Sequence, residues 1–146
     1  TAPLPQPDQF STLSIRENLQ PALHVSPPKN QVMSKADELA EIQEQCQELM
    51  GEAEELEEFF GFVEAAEGRD SLSKKTKELM SIAIGVVIKC EGCILWHIDA
   101  ALDAGATHEE IVDTLKVAVV MGGGPGMMYA VEAYEVLCEL EEDRPE

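Results

Sequence analysis

The chain has 146 residues, enough for one domain with a real core but with a large surface for its volume. Its 10 Lys and Arg stand against 29 Asp and Glu, a formal net charge of -19, and so acidic a surface repels nucleic acid and anionic membranes, arguing against both as partners. No apolar run approaches a membrane span, no basic-then-apolar leader opens the sequence, and 4 irregularly spaced cysteines do not resemble a secreted disulfide scaffold, so a cytoplasmic location is expected.

Residues 1–33 hold six of the eight prolines (Pro3, Pro5, Pro7, Pro21, Pro27 and Pro28), which rules out a long helix there. The segment reads as an extended arm. Its apolar residues, among them Phe10, Leu13 and Leu19, suit it to lie along its own domain or a neighbouring subunit. From Ser34, a candidate N-cap with Asp37 in the capping-box position, the pattern turns helical. Leu39, Ile42, Cys46, Leu49, Ala53, Leu56, Phe60 and Val63 recur in steps of three and four, an amphipathic helix or two in line with a break near Gly51. Glu52, Glu54, Glu55, Glu57 and Glu58 form its solvated face, and Gly68-Arg69-Asp70 is the turn that follows.

Ser73 caps the next helix, expected to run to about Lys89. Its second half, Met80 to Ile88, is apolar nearly all round, as in a helix buried on several sides. From the local pattern alone, Glu78 at the edge of that run reads as a surface carboxylate beside Lys74 or Lys75.

Lys89-Cys90-Glu91-Gly92-Cys93-Ile94-Leu95-Trp96-His97 then carries the pattern Cys-x-x-Cys-x-x-x-His. On a helix, steps of about 100° per residue gather Cys90, Cys93 and His97 within roughly 60° of one face. Unpaired N–H groups at a helix start favour a thiolate, and His97, four residues past Cys93, is placed to take or return its proton. Buried packing or zinc binding would use the same residues. Zinc needs a fourth ligand, and Cys46, Cys138, His24 and His108 form no second cluster in the sequence, so redox or acid–base chemistry is the preferred reading.

The cysteine helix stops at Gly105. Thr107 and Glu110 make a capping box that opens a helix to about Met121, Gly122-Gly123-Gly124-Pro125-Gly126 interrupts it, and a last helix runs from about Pro125 to Glu141. The glycines lack the strand and the Lys-Ser/Thr pair of a phosphate loop and read as a tight bend allowing close backbone approach. The fold class is all-α, a bundle of about six helices over residues 34–146, preceded by the arm.

Four stretches taken together, Leu72-Ser73-Lys74-Lys75-Thr76-Lys77-Glu78-Leu79, Cys90-x-x-Cys93-x-x-x-His97, Ala104-Gly105-Ala106-Thr107-x-Glu109-Glu110-Ile111 and Met121-Gly122-Gly123-Gly124-Pro125, resemble the carboxymuconolactone decarboxylase family. Within it, the chain is most similar to the alkyl hydroperoxidase D-like branch. The resemblance covers roughly residues 55–140 and leaves out the arm. It implies a working set of Glu78, Cys90, Cys93 and His97, which lifts Glu78 from surface carboxylate to relay member. The branch commonly carries a His between its cysteines, where this chain has Glu91-Gly92.

On that resemblance, Glu78 orients or deprotonates His97, His97 takes the proton of Cys93, and the Cys93 thiolate attacks a peroxide oxygen or a disulfide sulfur. Cys90 then closes a redox-active disulfide with Cys93, which an external dithiol, a thioredoxin-like protein or lipoyl-type donor, reduces. No metal or cofactor is expected. The competing readings are cofactor-free acid–base chemistry on a small organic acid, and a non-enzymatic helical assembly. Apolar surface on Leu79–Ile88 and Val117–Met128 exceeds what one small bundle covers, so a homo-oligomer is expected, and the resemblance implies a trimer or hexamer.

Overall fold

The structure, a computed structural model, describes residues 33–68 and 70–144. The arm expected over residues 1–33 lies, apart from Met33, outside the described residues. Five helices follow in order: α1 (Lys35–Glu52), α2 (Glu55–Glu67), α3 (Lys74–Ile88), α4 (Glu91–Asp103) and α5 (His108–Glu142). Among the described residues there is no strand, in line with the all-α expectation.

Local signals set most of the helix ends. Ser34 accepts the Asp37 N–H, Ser73 accepts the Thr76 N–H, and Thr107 and Glu110 form a full reciprocal capping box. The Glu110 carboxyl is held below its usual range by Lys75 first and by the Thr107 N–H second. Lys75 reaches it from α3, with Nζ 2.8 Å from Oε1, so one carboxylate both caps α5 and ties it to α3. The helix pair expected over residues 34–63 breaks at Ala53–Glu54, and the five glutamates read as its solvated face are all exposed.

The count of about six helices meets five continuous runs, and α5 explains the difference. A straight helix would put His108 and Glu141 about 50 Å apart at 1.5 Å per residue, yet His108 Nδ1 lies 2.8 Å from Glu141 Oε2. Thus α5 is a hairpin whose arms, residues 108–122 and 124–142, double back on each other. The reversal sits at Gly123, whose φ of 62° and ψ of -148° belong to a region open in practice to glycine alone. Beside it a Cβ on Gly126 would lie 3.4 Å from the Ala118 carbonyl oxygen of the opposite arm. The expected close approach of backbone is present.

The core is built on α3. It packs against both α4 and α5, burying Ile82 and Val86 with Ile94, Leu95 and Ile98 of α4 and Ile111, Leu115, Val136 and Leu137 of α5. The buried stripe of α3 is Glu78, Ile82, Gly85 and Val86, a helical repeat that places one carboxylate in line with apolar side chains. At Gly85 a Cβ would lie 3.4 Å from Ile94 Cγ1 and 3.6 Å from Cys93 Cβ, so the first turn of α4 rests directly on α3. Arg144, beyond α5, reaches Asp99 and Asp103 at 2.7 and 3.0 Å and ties the chain end to α4.

Candidate functional site

The link between α3 and α4 is two residues long and strained. Lys89 adopts the left-handed conformation, φ 63° and ψ 45°, which costs a non-glycine residue roughly 1 kcal/mol or more. The geometry ends α3 by sending the Cys90 N–H back to the Gly85 carbonyl at 3.0 Å. Cys90 is thereby delivered straight onto the N-cap of α4.

The shared face drawn from the spacing holds on condition that all three residues are helical, and Cys90 does not meet it. Cys90 has φ -103° and ψ 95°, outside the helix, and its Sγ accepts the Cys93 N–H at 3.3 Å as a capping oxygen would. Cys93 is inside the first turn. The two are joined as a disulfide with their Cα atoms 5.2 Å apart, and both side chains are half-buried. Support at the helix start therefore goes to the Cys90 sulfur, while Cys93 lies one turn before His97 on α4.

Glu78 is not a surface carboxylate. It is 1% exposed, and its Oε2 accepts a hydrogen bond from His97 Nδ1 at 2.8 Å. Of the two lysines expected beside it, Lys75 is on Glu110. A carboxylate oxygen only accepts, so this contact places a proton on Nδ1 and directs Nε2 to the open side of the ring. There it meets a residue that carries no signal in the sequence: Glu67, the last residue of α2, has Oε1 3.9 Å from Nε2. Glu67, Glu78 and His97 bring one ligand atom each within 4.8 Å of one another.

Glu67 is held there by its neighbours. Lys77 donates from Nζ to the carbonyl oxygens of Ala66 at 2.6 Å and Gly68 at 2.7 Å, on both sides of Glu67. Those carbonyls end α2 and attract a cation. Consecutive residues of α3 thus divide the work, Lys77 fixing the end of α2 and Glu78 fixing the His97 ring. Of the four residues singled out from the sequence, Cys90 is joined to Cys93 and Glu78 to His97, and Glu67 and Lys77 stand beside the second pair through long-range packing.

An apolar groove of about 410 Å³ lies elsewhere, between the arms of α5, lined by residues including Val119, Met127 and Tyr134. None of the four site residues lines it.

The carboxymuconolactone decarboxylase family model matches residues 53–135. A solved structure of a family protein from Legionella pneumophila is 39% identical, covers 73% of this chain and 96% of its own, and superposes with a TM-score of 0.69. A second, from Thermotoga maritima, is 30% identical, covers 72% and 91%, and has a TM-score of 0.67; for it an involvement in antioxidative response is raised as a possibility. An uncharacterized protein of Cupriavidus necator is 41% identical over 75 residues, 51% of this chain, and the chain spans 66% of that relative's length, just under two thirds.

The buried Glu78–His97 contact should behave as one unit in folding. Each of Glu78→Ala and His97→Ala should cost about 1–3 kcal/mol, because one strands the half-buried imidazole and the other the buried carboxylate. In urea unfolding of the two single variants and the double variant, a coupling of about 0.5–3 kcal/mol is expected; strictly additive losses would show that the contact carries no shared energy.

Proposed function

The chain belongs to the carboxymuconolactone decarboxylase family, and from that premise we propose that it is a thiol-dependent oxidoreductase reducing hydroperoxides or disulfides through Cys90 and Cys93. The observation that carries this reading is the joined cysteine pair at the start of α4, one turn ahead of a histidine whose Nδ1 is fixed by a buried carboxylate.

In the reduced protein His97 Nε2 takes the Cys93 proton and Glu78 steadies the imidazolium through Nδ1. The Cys93 thiolate attacks the outer oxygen of a hydroperoxide, the O–O bond breaks, and His97 returns the proton to the departing alkoxide as an alcohol. The resulting sulfenic acid is attacked by the Cys90 sulfur, releasing water and closing the disulfide. An external dithiol restores both thiols by exchange, itself becoming a disulfide. When that donor attacks Cys93, the Cys93 N–H stabilises the Cys90 thiolate that leaves.

Electrostatics favours this over decarboxylation of a small organic acid. Both ring nitrogens of His97 face carboxylates, Glu78 and Glu67, and Lys77 is engaged on backbone carbonyls. A carboxylate-bearing substrate would meet like charge, whereas a neutral hydroperoxide or disulfide would not.

The same proposal includes a homo-oligomer, trimer or hexamer. Met80, Ile84 and Ile88 on α3 and Val120, Met121 and Met128 on α5 are each at least 50% exposed. On a chain of net charge -19, that much apolar surface is suited to contacts between copies, with the glutamates of α2 facing solvent.

Cys93→Ser should abolish turnover, while Cys90→Ser should react once with hydroperoxide and then accumulate sulfenic and overoxidised forms, read by mass spectrometry. Equal residual turnover in the two variants would contradict the assigned roles. In light scattering, a trimer or hexamer is expected; a concentration-independent mass near 16.0 kDa would contradict the assembly.

A further inference from the structure

His97 presents an electrostatic problem that the redox cycle leaves open. With Nδ1 on Glu78, His97 Nε2 stands 3.9 Å from a Glu67 carboxylate oxygen, beyond hydrogen-bond reach. Two acceptors facing each other repel unless a proton or a metal cation lies between them. Two donor atoms on one tetrahedral zinc-class cation, each about 2.0–2.2 Å from it, stand roughly 3.3–3.5 Å apart. A shift of about half an ångström in the half-buried Glu67 side chain closes that difference.

The sulfur donors come from the same helix as His97. Cys93 is one helical turn before His97, and the Cys90 sulfur is bonded to that of Cys93. An N–H contact to the Cys90 Sγ, at 3.3 Å, stabilises charge on that sulfur once the bond is open. Two thiolates, an imidazole and a carboxylate make a complete four-donor set for zinc. The sequence supplied three of them, and the end of α2 supplies the fourth.

We propose that the reduced protein binds one zinc-class divalent cation through Cys90, Cys93, His97 Nε2 and Glu67, and that the disulfide form does not. Glu78 on Nδ1 is the outer carboxylate that metal-bound histidines commonly have, and Lys77 pins the stretch that carries Glu67. The steps balance. A dithiol gives two electrons and two protons to the Cys90–Cys93 bond and becomes a disulfide; cation binding then displaces the two thiol protons. Oxidation of the thiols by hydroperoxide removes both sulfur donors and releases the ion. The site rests on the pair being reducible, as in the function proposed above, and not on hydroperoxide being its substrate.

The probe is Co²⁺, added to the full chain with Cys46→Ser and Cys138→Ser, after reduction with dithiothreitol and removal of that reagent under nitrogen. One equivalent should bind, with sulfur-to-cobalt charge transfer in the near ultraviolet and tetrahedral bands in the visible, both absent from the disulfide form. Glu67→Ala should weaken binding at least about tenfold while the helical circular dichroism is unchanged. Absence of the bands in the reduced protein, a disulfide that dithiothreitol does not open, or undiminished affinity in Glu67→Ala would overturn the assignment. Co²⁺ binding of this kind in a protein that reduces neither hydroperoxide nor disulfide would uphold the site and contradict the function proposed above.

Discussion

A carboxylate buried to 1% exposure on an apolar helix face is costly unless it is paired, and the 2.8 Å contact between Glu78 and His97 is the pairing this fold depends on. It joins α3 to α4 at the point where the first turn of α4 already rests on Gly85. The same contact fixes the imidazole ring and selects which nitrogen faces outward. Packing and chemistry are therefore set by one interaction: moving α4 to relieve the carboxylate would also move the cysteines.

Around that contact the backbone is tightly constrained. Lys89 in its left-handed conformation and the return of the Cys90 N–H to Gly85 leave no slack between α3 and α4. Cys93 sits in the first turn of α4 and Cys90 in a two-residue link tied at both ends, the condition under which a group stays positioned. The hairpin of α5 serves a different end. Its reversal at Gly123 lets one long run bury Ile111, Leu115, Val136 and Leu137 against the same core while its outer surface, with Val120 and Met121, stays apolar and exposed.

Much of this was legible in the sequence because it is local. The caps at Ser73 and Thr107, the stop at Gly105 and the tight bend at the glycine run are each set within a few residues. Other features were legible only in part. The place of Cys90 as cap rather than helical residue turns on two backbone angles, to which spacing is blind. Glu78 shows how far local reasoning reaches: its lysine neighbours suggested a surface pair, only the family resemblance suggested otherwise, and the burial that decides it comes from α4 packing across α3. Glu67 lay beyond any sequence signal, since it stands thirty residues before His97 and reaches it through the clamp of Lys77 on the end of α2.

The central claim is that Cys90 and Cys93 form a working couple driven by His97 and Glu78. Its most direct test is thiol counting in the Cys46→Ser, Cys138→Ser chain, reduced and freed of reductant, on addition of one equivalent of an organic hydroperoxide. The expected result is loss of two thiols per chain with formation of the Cys90–Cys93 disulfide, markedly slowed by Glu78→Gln. Thiols that persist while the hydroperoxide survives as long as it does in buffer alone, and that persist equally with a small disulfide in its place, would contradict it.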